Sequence, residues 1–273
     1  MSDPLPFRSR YGPWALVAGA AVGLGAEWGR QLATRGLDLV LVDRDEAALA
    51  RTADEIVSRG NVQVRPVVLD LARGDLVEAI RDRAAGAEIG LLVCNAACSV
   101  VAPFLELEAV QLHAMLDVNC RAPLLLAHAL APAMVRRGRG GIVLMSSLSG
   151  NVGSAQLAVY AASKAFDLVL ADALWVELRS QGVDVLAVQP GSTRTPGWLA
   201  SQPADADQAL PVMEAADVVR EALGMLGVEP SIVPGELNRQ GADVLARLPR
   251  RQAIELLSAI TGTLVPNHRP RAR

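Results

Sequence analysis

The sequence predicts one doubly wound α/β domain, in which helices cover both faces of a central parallel sheet of about seven strands. Short runs rich in Val, Leu and Ile alternate along the chain with longer helical stretches, as in successive strand–helix–strand units. Turn residues fall between these runs, at Gly36, Gly60, Gly182 and in the segment 138–141. The 273 residues contain no internal repeat or low-complexity linker, and this length suits a single large domain.

The elements follow in a regular order, each strand preceding a helix. The predicted strands are 14–18, 37–42, 62–68, 90–94, 141–146, 183–189 and 231–233. The predicted helices are 25–35, 46–59, 74–84, 107–136, 159–181, 215–226 and 240–260.

The remaining segments flank or interrupt this pattern. Residues 1–12 are predicted to be a flexible N-terminal segment, 13–265 the domain, and 266–273 a basic tail. Within the domain, 196–216 is rich in Pro, Ala, Asp and Gln and lacks a period. We expect it to be a substrate lid, with a plain surface connection as the alternative. Residues 235–265 form a C-terminal extension.

Composition excludes several classes of protein. A formal net charge of -3 argues against a nucleic-acid partner. The cysteines Cys94, Cys98 and Cys120 lack the accompanying histidines of a zinc site, so we expect no metal and three reduced thiols. No signal peptide is evident, and apolar runs such as 37–42 are too short to span a membrane. The sequence therefore predicts a cytoplasmic protein without a membrane span.

The loop after the first strand predicts a phosphate-binding turn. It reads Ala18-Gly19-Ala20-Ala21-Val22-Gly23-Leu24-Gly25 and opens the first long helix. Glycines at 19, 23 and 25 let the backbone turn tightly and approach a ligand closely. The helix then offers free N–H groups and its positive dipole end to a phosphate. Such turns also occur without a ligand, so the loop alone leaves cofactor binding open.

The end of the second strand bears on the choice of cofactor. Asp43 follows the loop at the distance where a carboxylate can bind both ribose hydroxyls of an adenosine and repel a 2′-phosphate. Arg44 argues the other way, because a guanidinium can bind that phosphate. Val22 adds no second positive charge, and the balance favours NAD over NADP. Alternatively, Asp43 and Arg44 form a solvated turn that has no role in cofactor binding.

Two further strand ends are candidates for cofactor contacts. Asp70-Leu71 follows the third strand and Asn95-Ala96 follows the fourth, at the edge where ligands bind in open sheets of this kind. Asp70 can meet the adenine amino group, and Asn95 can tie neighbouring strands together. Either can instead be a strand-end cap.

Tyr160 and Lys164 are the candidate proton-transfer pair. A tyrosine hydroxyl can exchange the proton that accompanies hydride transfer, but an unperturbed pKa of about 10 makes it a poor base at neutral pH. A nearby cation favours the phenolate. Lys164 lies four residues after Tyr160 on a predicted helix, so the two share a face. Such a pair also arises by chance.

Two polar residues strengthen this interpretation. Ser147 directly follows the strand 141–146 and can donate a hydrogen bond to a substrate oxygen. Asn119 interrupts an otherwise apolar helix, where a buried amide needs a partner. One function for Asn119 would be to hold a water near Lys164.

Taken together, the motifs resemble the classical short-chain dehydrogenase/reductase family over about residues 14 to 195. They are Gly19-x-x-x-Gly23-x-Gly25, Asn95-Ala96-Ala97, Asn119, Ser147, Tyr160-x-x-x-Lys164 and Pro190-Gly191. The resemblance implies a Rossmann-type fold and NAD(P)-dependent interconversion of a secondary alcohol and a ketone.

The resemblance also implies a catalytic tetrad of Asn119, Ser147, Tyr160 and Lys164. Tyr160 would be the acid/base, and Ser147 would orient the carbonyl. Lys164 would lower the tyrosine pKa and hold the nicotinamide ribose, and Asn119 would support a proton-relay water. Further cofactor contacts would come from Pro190, Gly191, Thr193 and Thr195, the last at the nicotinamide end.

Three residues depart from the family pattern. Ala18 stands where Thr is usual, Cys94 replaces a frequent Asn, and Ala97 replaces the Gly of an Asn-Ala-Gly motif. A methyl at position 97 would weaken cofactor binding if backbone and cofactor approach closely there. None removes a group of the tetrad, but they leave open a catalytically weak or inactive nucleotide-binding or scaffold member of the family.

Apolar residues near the predicted centre indicate a hydrophobic alcohol or ketone as substrate. The candidate contacts are Ser149, Leu157, Trp198 and Met213. The alternative is that the apolar residues only pack the lid. Small residues along 107–136 and 159–181 permit close helix approach and, by analogy with the family, indicate a homodimer or homotetramer.

Overall fold

Seven parallel strands form the central sheet of the computed structural model, which describes residues 7–201 and 212–263. The strands are β1 (Trp14–Ala18), β2 (Asp38–Asp43), β3 (Val64–Val68), β4 (Ile89–Cys94), β5 (Gly140–Met145), β6 (Val183–Val188) and β9 (Ser231–Ile232). Their order is β3-β2-β1-β4-β5-β6-β9, so the winding direction reverses between β1 and β4. A ligand cleft is expected beyond the carboxyl ends of the strands at this reversal. The predicted sheet is confirmed.

Helices cover both faces of the sheet. They are α1 (Phe7–Tyr11), α2 (Gly23–Thr34), α3 (Glu46–Arg59), α4 (Leu76–Arg83), α5 (Ala109–Leu116), α6 (Ala122–Arg137), α7 (Ala158–Leu178), α8 (Pro196–Ser201), α9 (Ala215–Met225), α10 (Glu236–Arg247) and α11 (Arg250–Thr263). One core cluster packs α2, α3 and α9 on the sheet, through Trp28, Leu49 and Val219 among others. The other packs α4, α6 and α7, through Ile80, Leu126 and Ala171 among others.

The predicted helix 107–136 is interrupted by one turn of π-helix, Asp117–Arg121, between α5 and α6. The backbone N–H of Ala122 donates to the carbonyl of Asp117, which is the i→i+5 bond of a π turn. The turn makes Asn119 fully buried. By length and composition the stretch Ala109–Arg137 can cross a membrane, with a mean hydropathy of 1.3. In the fold, the second half of this stretch, α6, contacts β4 and β5, and α5 contacts α7.

The C-terminal extension forms two helices where the sequence predicted one, 240–260. Helix α10 ends before Leu248, which adopts extended backbone, and α11 begins at Arg250. Pro249 explains the break, because proline lacks an N–H group and restricts the residue before it.

The described part of the N-terminal segment is ordered, contrary to the flexible segment predicted for 1–12. The Tyr11 side chain is buried, and its hydroxyl donates to Asp184 at 2.7 Å. Arg10 donates to both oxygens of the same carboxylate, at 2.6 and 2.7 Å. Burial and the Asp184 hydrogen bond hold the pKa of Tyr11 well above its usual range. Helix α1 is thus anchored to the amino end of β6, far from the expected cleft.

The other segments are only partly described. Helix α8 and the short strand pair β7 (Thr193–Arg194) and β8 (Met213–Glu214) flank the predicted lid. The remainder of that lid, 202–211, lies outside the described residues, as do 1–6 and the predicted basic tail 266–273.

Candidate active site

The glycine-rich loop packs closely on itself and on the end of β4 at the start of α2. A Cβ on Gly25 would lie 1.7 Å from the carbonyl oxygen of Gly19 and 2.6 Å from Nδ2 of Asn95. Asn95 Nδ2 donates to the same Gly19 oxygen at 2.7 Å, which ties the end of β4 to the loop. Val22 precedes the helix with no side-chain cap, so the first N–H groups of α2 remain available to a phosphate. This cradle fits the diphosphate of a dinucleotide.

A cleft with a volume of about 390 Å³ opens beside this loop. The residues that the sequence proposed for the adenosine half line it together: Gly19, Asp43, Arg44, Asp70, Leu71, Asn95 and Ala96. Sequence reasoning did not select Leu69, Ala72, Ala114 and Val118, which line the same cleft. Their apolar side chains carry no chemical signature, so only the folded chain reveals them.

The carboxylates in the cleft are held by backbone groups. Asp43 accepts hydrogen bonds from the N–H of Ala21 at 2.9 Å and of Asp45 at 3.1 Å. Asp70 accepts from the N–H of Ala72 at 2.9 Å, so it serves as a strand-end cap while lining the cleft. Arg44, by contrast, is exposed at the cleft edge.

The segment after β6 meets the loop from the other side. A Cβ on Gly23 would lie 3.0 Å from the side chain of Thr195, whose hydroxyl accepts from the N–H of Trp198 at 3.1 Å. Thr193 is buried, and its hydroxyl donates to the carbonyl of Gly191 at 3.1 Å. The segment with Pro190, Gly191, Thr193 and Thr195 therefore reaches the phosphate loop, with Thr195 lying against Gly23.

The turn of α7 that carries Lys164 is fastened to the end of β5. Ser146 donates its hydroxyl to the Lys164 carbonyl at 2.7 Å. A Cβ on Gly150 would lie 2.8 Å from the carbonyl carbon of Lys164, so the segment after Ser147 also lies directly on the helix. Ser147 and Tyr160 are both half-buried on these two elements. The contacts fix the position of one backbone relative to the other at the carboxyl end of the sheet.

The side chain of Asn119 is committed to structural contacts. Its Oδ1 accepts from the N–H of Cys98 at 2.7 Å, and its Nδ2 donates to the Cys98 carbonyl at 2.8 Å. Nδ2 also donates to the hydroxyl of Ser163 at 2.9 Å, and Ser163 donates to the carbonyl of Tyr160 at 2.7 Å. Both amide hydrogens are used. Asn119 therefore braces the turn of α7 that carries Tyr160. A water molecule beside Asn119 would have to bind backbone groups of the π turn, because the side-chain amide is already paired.

Lys164 does not present its ammonium to open solvent. The residue is 2% exposed, and Nζ donates to the carbonyl of Met145 at 2.7 Å. Nζ also lies 3.0 Å from Oδ2 of Asp167, a buried carboxylate that sequence reasoning missed. The sequence does contain a sign of this ion pair, because Asp167 is an acidic residue three positions after Lys164 on a mainly apolar helix.

The C-terminal helix α11 covers the loop between Ser147 and Tyr160. Ser258 accepts from the N–H of Ala155 at 3.0 Å, and Thr261 donates to the hydroxyl of Ser154 at 3.3 Å. The extension thus covers the segment between Ser147 and Tyr160.

The four proposed substrate contacts are spread over three segments. Leu157 is half-buried, three residues before Tyr160, and the N–H of Ser149 donates to the Ser147 hydroxyl at 3.2 Å. Trp198 is half-buried in α8 beneath the guanidinium of Arg194. Met213 packs on the start of α10, with its sulfur 3.4 Å from Nδ2 of Asn238.

Relatives of this chain include proteins named as dehydrogenases and reductases, and one named as inactive. A 7beta-hydroxysteroid dehydrogenase of Clostridium sardiniense is 30% identical over 234 residues, covering 86% of this chain and 90% of that protein. A human protein named inactive hydroxysteroid dehydrogenase-like protein 1 is 34% identical, covering 66% of this chain but only 56% of its own length.

Solved structures of dehydrogenases are also similar to this chain. A 7beta-hydroxysteroid dehydrogenase structure superposes with a TM-score of 0.87 at 26% identity, covering 93% of this chain and 99% of its own. A short-chain dehydrogenase from Sphingobium yanoikuyae in complex with NADPH has a TM-score of 0.74 at 32% identity, covering 96% and 99%.

The sheet reversal and the cleft beside the glycine-rich loop define a nucleotide-binding domain of the Rossmann type. The short chain dehydrogenase profile matches residues 13–205. The chain belongs to that family and is an NAD(P)-dependent oxidoreductase.

Proposed function

We propose that this protein interconverts an apolar secondary alcohol and the corresponding ketone, with Tyr160 exchanging the proton. The observation that carries the proposal is the fastening of α7 to β5 through Ser146 and the Lys164 carbonyl at 2.7 Å. It fixes the relative position of the two elements that carry Ser147 and Tyr160, as oriented catalysis requires.

The chemistry divides between cofactor and protein. A bound nicotinamide supplies or accepts the hydride. The Ser147 hydroxyl donates a hydrogen bond to the substrate oxygen and so orients it. The Tyr160 hydroxyl gives that oxygen a proton during reduction and removes one during oxidation. Asn119 and Ser163 hold the turn that carries Tyr160, and Lys164 provides the neighbouring cation.

For the cofactor, NAD is our proposal. Asp43 is a fixed negative charge in the cleft, because two backbone N–H groups hold its carboxylate. A fixed carboxylate binds ribose hydroxyls and repels a 2′-phosphate. To bind a 2′-phosphate, the exposed side chain of Arg44 would have to be immobilised, and this would cost side-chain entropy. The NADPH in the Sphingobium protein keeps NADP as the competing choice.

For the substrate, the support comes from the surroundings of Tyr160. Leu157 lies one helical turn before Tyr160, and the adjoining Val152 is buried. The loop that contains both residues is closed over by α11. An apolar wall favours a substrate with hydrocarbon next to its carbonyl. The relatives named for hydroxysteroids and for 3-oxoacyl-CoA substrates are consistent with this class.

The test is oxidation of NADH and NADPH in the presence of a small panel of ketones. A ketosteroid, a medium-chain aliphatic ketone and a 3-oxoacyl thioester represent the apolar class, and a keto sugar is the polar control. We expect turnover with an apolar member, and a lower KM for NADH than for NADPH. Asp43→Asn should reduce that cofactor preference about tenfold. Turnover of the keto sugar alone would contradict the substrate class, and a wild-type preference for NADPH would contradict the cofactor choice.

A catalytically weak member of the family is the second candidate. Two observations favour it, the buried position of Lys164 and the methyl of Ala97 in the cleft. Cofactor binding without turnover of any member of the panel would establish this alternative.

We also propose that the protein is a homodimer or homotetramer. Leu124, His128, Ala131, Leu170 and Leu174 line an apolar groove between α6 and α7 with a volume of about 280 Å³. Val169 and Val176 are exposed on α7. A second copy packed on this face would cover these side chains. Light scattering should give at least twice the monomer mass of 28.7 kDa. Val169→Lys should shift the mass toward one chain, and a monomeric wild type would contradict the proposal.

A further inference from the structure

Lys164 and Asp167 form a buried ion pair beneath the catalytic turn. Only 2% of each residue is exposed, and Lys164 Nζ lies 3.0 Å from Asp167 Oδ2. The Met145 carbonyl is the second partner of Nζ, at 2.7 Å. Both partners lie in the protein interior, so the ammonium is engaged there and is not free in the cleft.

The Asp167 carboxylate is only partly satisfied. Its Oδ1 is buried and has no hydrogen-bond partner among the described residues. The other titratable groups facing the pair are Cys94 on β4 and Cys120 on the π turn. Burial raises the pKa of both thiols, that of Cys120 to about 11, so both are neutral near pH 7. The Lys164–Asp167 ion pair is therefore the charged contact within this group of four side chains.

We propose that Asp167 is a positioning residue that holds the Lys164 ammonium inward in the cofactor-free protein and competes with the cofactor for it. The inference rests on the role given to Lys164 under the proposed function. The ammonium must leave or loosen the ion pair to reach a ribose hydroxyl. Affinity for the cofactor is then reduced by the fraction of molecules in which Lys164 is held inward.

The ion pair also makes the competition depend on pH. Burial raises the pKa of Asp167 to about 6, although Lys164 lowers it. The folded value lies above the ordinary carboxyl value, so Asp167 takes up a proton as pH falls through about 6. Protonation removes the charge that holds Lys164. Cofactor binding should therefore tighten as pH falls through this range.

The experiment is calorimetric titration of NAD and of NADP into the full chain without substrate, from about pH 5 to about pH 8. We expect Asp167→Asn to lower Kd about fivefold at the upper end of this range. Its Kd should also lose the pH dependence seen in the wild type. Asp172→Asn, an exposed carboxylate on the same helix, is the matched control and should leave Kd unchanged. The exposed His113 and His128 are present in all three proteins, so any contribution that they make to the pH dependence of Kd is the same in each.

Lys164→Met separates the two levels of the proposal. If Lys164 holds the cofactor, Lys164→Met weakens binding, and adding Asp167→Asn to it changes nothing further. If Lys164→Met weakens binding but Asp167→Asn fails to tighten it, the positioning role of Asp167 is refuted. An unchanged Kd for Lys164→Met would refute the role of Lys164 itself. Should Asp167→Asn fail to fold, the wild-type and Lys164→Met pH series suffice, since a pH dependence in Lys164→Met equal to that of the wild type refutes the inference.

Discussion

Tyr160→Phe is expected to abolish hydride transfer while leaving the fold and cofactor binding intact. The change removes one oxygen from a half-buried side chain whose ring contacts are kept. Loss of a positioned general acid/base lowers the rate by about 10²–10⁴-fold. The measurement is kcat/KM with a ketone from the panel, together with the thermal-shift response to NAD.

Tyr11→Phe is the matched control for this prediction. It removes the chain's other tyrosine hydroxyl, at the opposite end of the sheet, and should leave kcat unchanged. Wild-type turnover by Tyr160→Phe would refute the assigned role.

Gly25→Ala is expected to abolish cofactor binding and to destabilise the fold. Its Cβ would lie 1.7 Å from the Gly19 carbonyl oxygen, a backbone atom that Asn95 holds in place. The loop must open to admit the methyl group, which moves the N–H groups that face the phosphate. Overpacking of this kind costs about 1–3 kcal/mol of unfolding free energy. Thermal unfolding with and without NAD and NADP measures both effects.

Gly224→Ala provides the comparison. This glycine lies in α9, and a Cβ there meets no atom within 4 Å. Alanine favours the helix over glycine by about 0.5–1 kcal/mol, so this variant should be as stable as the wild type or more so, with an unchanged cofactor shift. A normal cofactor shift in Gly25→Ala would show that the loop does not cradle the phosphates.

Much of the site was predictable because its signals are local in sequence. Gly19, Gly23 and Gly25 stand at a strand-to-helix turn, and Tyr160 and Lys164 stand four apart on a helix. Both patterns depend only on the geometry of neighbouring residues. Asp43 and Asn95 were found because parallel strands end at one edge of the sheet, so strand-end residues meet there.

Other features depend on neighbours that are distant in sequence. Asn119 is hydrogen-bonded to Cys98 and to Ser163. These three residues come together only when the π turn packs on α7. The N-terminal helix appeared flexible in the sequence, yet Arg10 and Tyr11 are anchored by Asp184, more than 170 residues later in the chain. Composition alone does not signal such pairs.

The sequence by itself determined the sheet, the phosphate loop, and the Tyr160–Lys164 pair with Ser147, because periodicity and short motifs encode them directly. Only the tertiary structure decided where the Lys164 ammonium lies. A lysine side chain has several rotatable bonds, and its position depends on which partners lie within reach. In the folded chain these are the Met145 carbonyl and Asp167, both buried, so the cation assigned to Tyr160 is engaged in the interior.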